Sequence, residues 1–171
     1  TLSVTAICLA TITSAQSIGT FNSVTPTAQA QTLVLPSTHT FQRIIKTNDV
    51  IPGSGGQMLG ANLDFTGYVP IAGSSYNGRL SISSESTTAE VAILDVNYNF
   101  STHLWATSTG GKVNFNPTDI GTVRRFCSGT VTPNNTIMVS EEDLTSGNVN
   151  SAVDGYTVAV CFIEINPATR T

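Results

Sequence analysis

The side chains able to do chemistry in this chain are few and scattered. It has only two histidines, His39 and His103, and none of its many serines sits in a G-x-S-x-G turn. Gly53-Ser54-Gly55-Gly56 has the composition of a flexible loop, not of the strand-to-helix elbow that exposes a nucleophile, so a Ser/His/Asp system has no local signature. There is no C-x-x-C, no H-E-x-x-H and no EF-hand loop, which removes the usual zinc and calcium motifs. The densest set of hard oxygens is Glu141, Glu142 and Asp143, a weak calcium candidate with Asp64 or Asp119; such a run equally suits a solvated turn. Glu85, Glu90 and Asp95 could hydrolyse a glycosidic bond only if the fold set two of them across a cleft. For sugar binding without hydrolysis, Trp105, Tyr76 and Tyr68 are the candidate stacking rings. The expectation is therefore a protein that is not an enzyme and needs neither cofactor nor metal.

Covalent chemistry is confined to cysteines and asparagines. Cys127 and Cys161 lie in two strand-like segments, and a disulfide between them would close a loop worth roughly 3 kcal/mol; the alternative is two buried free thiols. Cys8 reads as a small core residue, with nothing basic near it in sequence to activate a thiolate. Asn99-Phe100-Ser101 and Asn134-Asn135-Thr136 fit the N-glycosylation pattern, whereas Asn116-Pro117-Thr118 is barred by its proline.

The elements that would position these groups read as strands. In residues 1–14, Leu2, Val4, Ala6, Cys8, Ala10 and Ile12 share one face and hydroxyl residues dominate the other, the period of a half-buried strand. The Ser/Thr/Gln/Ala tether that follows cannot make a tight hairpin, so this strand is expected to add to the sheet of another copy. A rival reading takes residues 1–30 as a secretory signal, with Ala28-Gln29-Ala30 as the cleavage site, although no basic n-region precedes it.

Residues 1–37 thus form an uncharged arm and tether, and residues 38–171 a body. Asn77-Gly78 and Asp154-Gly155 are hairpin signals, Gly110-Gly111 turns the chain toward Lys112–Phe115, and Tyr156 to Ile165 reads as a central strand, apolar on both faces. Residues 88–100 are the strongest strand. They are apolar on both faces up to Leu94, then split into Leu94, Val96, Tyr98 and Phe100 on one side and Asp95, Asn97 and Asn99 on the other. About eight such strands with Gly, Pro and Asn between them predict an all-β fold, a single antiparallel β-sandwich or jelly roll with an extended N-terminal strand-forming arm.

Composition narrows the function. Charged residues make up 11% of the 171, against roughly 25% in an average soluble domain. Residues 1–42 carry no charge at all, and a bare uncharged tail calls for a cover. With a net charge of −4 and no basic cluster beyond Arg124-Arg125, nothing in an arm would neutralise nucleic acid. No apolar run has the length of a transmembrane helix. The leading expectation is a self-assembling subunit of an extracellular or cell-surface filament, a homopolymer whose partners are other copies of itself joined by strand donation. One alternative is a single jelly-roll capsid protein located in a virion. The other is a secreted β-sandwich binding module with residues 1–30 as its signal segment.

Overall fold

The computed structural model describes residues 23–25, 33–37, 39–142 and 162–171. The donor strand expected over residues 1–14, Cys161, Asp143 and the Asp154-Gly155 signal lie outside the described residues. The chain divides between Phe41 and Gln42 into two units. In the first, the described residues form neither helix nor strand, and the His39 N–H donates to the Pro36 carbonyl at 2.9 Å.

The second unit contains two antiparallel sheets. Strands β1 (Leu63–Pro70), β2 (Asn77–Ser84), β3 (Val91–Asn99) and β4 (Leu104–Lys112) form one, in the order of the sequence. Strands β5 (Phe126–Val131), β6 (Ile137–Glu141) and β7 (Phe162–Ile165) form the other, also in sequence order. A single turn of helix, α1 (Pro117–Ile120), joins the two sets, with the Asn116 side chain accepting the Thr118 N–H at 3.1 Å as its cap. The protein is all-β in its described residues, and the two sheets are consistent with a β-sandwich.

β3 explains the layering. Val91 and Ile93 face one core with Val69, Phe126, Ile137, Val139 and Ile165, so this core lies between the sheets. Ala92, Leu94 and Val96 face a second core with Ile82, Ile51 and Leu59, so the other side of the four-stranded sheet is covered by the irregular chain leading into β1. A strand buried on both faces must be apolar at every position, as residues 91–94 are.

Several expected elements fall elsewhere. Asn77-Gly78 is not a turn: it opens β2, and the β1–β2 connection runs over residues 71–76, with positive φ at Ala72 and Gly73. Glycine is needed at 78 because the Tyr68 ring occupies the space of a Cβ. Gly110-Gly111 lies inside β4, where a Cβ on Gly110 would meet Ile51 at 2.7 Å, so the pair marks close approach of the covering chain rather than a turn. β7, expected to be central, pairs only with β6 among the described residues, and Phe162 is 75% exposed. Residues 39–47 form no strand, and their Ile44 and Ile45 pack against the second core.

Candidate functional site: an aromatic end of the four-stranded sheet

The hairpin register assembles a row of rings at one end of the four-stranded sheet. Tyr98 on β3 stands opposite Trp105 on β4, and their centroids lie 5.4 Å apart. Phe100, in the turn just beyond β3, lies 5.2 Å from Tyr98, edge to face. Tyr76, from the end of the β1–β2 loop, meets Phe100 at 5.2 Å, and Tyr68 on β1 reaches across Gly78 to Trp105 at 5.8 Å. The order is Tyr68, Trp105, Tyr98, Phe100, Tyr76.

Main-chain and side-chain bonds fix the row. The Tyr98 N–H donates to the Tyr76 carbonyl at 2.8 Å, joining the two hairpin ends. The Tyr68 hydroxyl donates to the Ser74 carbonyl at 3.1 Å, and burial raises its pKa above the ordinary phenol value. The β3–β4 turn is closed by Asn99, whose Oδ1 accepts the Ser101 N–H at 2.8 Å and the Thr102 N–H at 3.1 Å. His103, at φ 56°, sets Nδ1 3.3 Å from the Tyr98 hydroxyl. Gln42 binds the β4 edge at two points, accepting the Trp105 N–H at 2.8 Å and donating to its carbonyl at 2.6 Å.

Exposure separates anchor from surface. Tyr68 and Trp105 pack against the second core, while Phe100 is 63% and Tyr76 46% exposed. Residues 65–78 and 96–111 contain no Asp, Glu, Lys or Arg. The result is an aromatic surface whose two main segments carry no charge, edged by hydroxyls, an imidazole and the Gln42 amide, with the exposed Arg43 next to that amide. Sequence reasoning named Tyr68, Tyr76 and Trp105 but missed Tyr98, Phe100 and His103. The signal was present in the polar turn after Phe100, which sets Tyr98 opposite Trp105.

The carboxylates are engaged elsewhere. Glu90 accepts the Gly60 N–H at 2.6 Å and pairs with Lys112. Asp95 sits between Arg79 at 3.4 Å, Arg170 at 3.7 Å and the Thr109 hydroxyl. Glu141, 2% exposed, accepts the Arg124 N–H at 2.6 Å. Glu142 instead lies by Glu85, where their mutual hydrogen bond, then Coulombic repulsion, burial and Asp64 raise the Glu85 pKa against a smaller lowering by Arg125. Among the described residues no group of three or more His, Cys, Asp or Glu side chains could hold a metal ion. Cys127 carries a free thiol, and its expected disulfide partner Cys161 lies outside the described residues. Asn99 and Asn134 are both exposed on hairpin turns. No described helix is long and apolar enough to cross a membrane.

The second open surface is the outer face of the three-stranded sheet, where Ser128, Thr130, Met138, Ser140 and Phe162 line a shallow hollow of about 200 Å³. Comparison with protein-family models, with curated proteins and with solved structures gives no match.

Proposed function

We propose that this chain is a secreted, non-catalytic binding module whose ligand docks on the aromatic end of the four-stranded sheet. The observation that carries the reading is the exposure of Phe100 and Tyr76 on a row of rings drawn from two segments without charge, residues 65–78 and 96–111. Large exposed apolar groups held in place by hydrogen bonds are characteristic of recognition surfaces, and aromatic rings supply contact area at little cost in side-chain entropy. The low overall charge suits an extracellular setting.

An array of peptides and of neutral and anionic glycans tests this reading. The parent protein binds at least one class and releases it chemically unchanged, and a Tyr76→Ala/Phe100→Ala variant of equal thermal stability loses that binding. Retention of binding by the double variant, or cleavage of the ligand, contradicts it.

A second reading, strand donation into a homopolymer or a shell, is favoured by the alternation of residues 1–14 and by the edges of the three-stranded sheet. Gln42 and Gln57 side chains occupy the β4 edge at Trp105 and Lys112, whereas β5 and β7 each pair only with β6 among the described residues. An incoming strand therefore finds a better template there than at the β4 edge, and an eight-stranded or jelly-roll arrangement would require a further strand from outside the described residues. Filaments or closed shells in electron micrographs of the full chain, lost on deleting residues 1–14, would favour this reading; monomers in both samples would remove it.

A further inference from the structure

Resting on the recognition reading above, we propose that the ligand of the aromatic end is a neutral polysaccharide, its apolar ring faces set against Tyr76 and Phe100 and its hydroxyls against the polar groups of the two turns. Charge makes the first selection. Residues 65–78 and 96–111 carry no Asp, Glu, Lys or Arg, and the exposed Arg43 stands at the margin beside the Gln42 that binds Trp105, so an anionic chain finds no cation on either aromatic segment and a basic peptide no carboxylate. Polarity makes the second. The hydroxyls of Ser75, Ser101 and Thr102 and the His103 ring border the exposed aromatics, and a lipid chain would leave these groups unused. A sugar ring combines an apolar face with a rim of hydroxyls and fits both features. Rigidity makes the third: the bonds from Tyr98 to Tyr76 and from Tyr68 to Ser74 hold the two loops together, so little ordering is left to binding.

The test is electrophoresis of the native full chain through gels containing a soluble β-glucan, a galactomannan or polygalacturonate, at low and high salt, with the emission of Trp105, the one tryptophan, as a readout at the site. At least one neutral polysaccharide retards the parent equally at both salt concentrations and changes Trp105 emission, and polygalacturonate does not. Phe100→Ala weakens retardation by about tenfold or more, as expected of a central aromatic contact. Phe100→Trp restores it, and Phe162→Ala, on the other sheet, leaves it unchanged. Preference for polygalacturonate, or no retardation by either neutral polymer, overturns the glycan assignment. The recognition reading then stands or falls separately, on whether a peptide from the array changes Trp105 emission in the parent and not in Phe100→Ala. Retardation that survives both Phe100→Ala and Tyr76→Ala overturns both.

Discussion

Glu85 shows how single side chains set the pH response. It shares a hydrogen bond with Glu142 and lies near Asp64, so the folded chain holds its proton more tightly than the ordinary value of 4.5 implies. A raised folded pKa contributes stability that is fully present below the unfolded value and is lost as pH rises through the folded one. The parent is therefore expected to lose melting temperature relative to Glu85→Gln as pH is raised from about 4 toward 7. Parallel melting curves for the two proteins across that range would contradict the assignment. Glu142 also governs Cys127, whose thiol pKa is raised first by its hydrogen bond to Glu142, then by burial and by the charges of Glu142, Asp64 and Glu85. The thiolate is thus scarce at neutral pH, and iodoacetamide labels Cys127 slowly in the folded protein and readily after unfolding. Recovery of a Cys127–Cys161 linked peptide without reductant would contradict a free thiol at this position.

At the scale of elements, the two sheets are tied by a hydroxyl as well as by the core. Ser83 on β2 is fully buried; its Oγ accepts the Phe65 N–H of β1 at 3.1 Å and donates to the Phe126 carbonyl of β5 at 3.2 Å. Ser83→Ala leaves both groups short of a partner and is expected to cost about 1–3 kcal/mol in urea unfolding, with no change in ligand affinity at the distant aromatic rings. A loss within error of zero would show that water or a backbone shift replaces the hydroxyl. This bond was invisible in the sequence, because a serine inside an alternating strand says nothing about its partner across the sandwich. β3 was legible for the opposite reason: uninterrupted apolar residues up to Leu94, followed by alternation, admit little but a strand buried first on both faces and then on one. Glycines misled where packing, not turning, required them. Gly78 and Gly110 both lie within strands, beneath Tyr68 and Ile51, and no local rule separates that demand from a hairpin signal. The short helix at Pro117–Ile120 follows from Asn116, a capping residue, standing before Pro117 at the first helical position.

For the whole molecule, the scarcity of charge and the location of the exposed rings bear on the same question, what this protein meets outside itself. The charges that the described body does carry are largely drawn into pairs such as Lys112 with Glu90 and Arg79 with Asp95, and none falls in residues 65–78 or 96–111, which carry the aromatic row. Half of that site was legible in the sequence: Tyr68, Tyr76 and Trp105 stood out as rings in a polar chain, but only the β3–β4 register unites them with Tyr98 and Phe100. The alternation over residues 1–14 bears on another proposed surface, the edges of the three-stranded sheet, so the two readings separate by where a perturbation falls. The most direct test is amide chemical-shift mapping of the full chain titrated with the polysaccharide that retards it. The account predicts shifts concentrated at residues 71–77 and 98–105, with β5, β6 and β7 unmoved. Shifts centred on the three-stranded sheet around Met138 and Phe162 would contradict it.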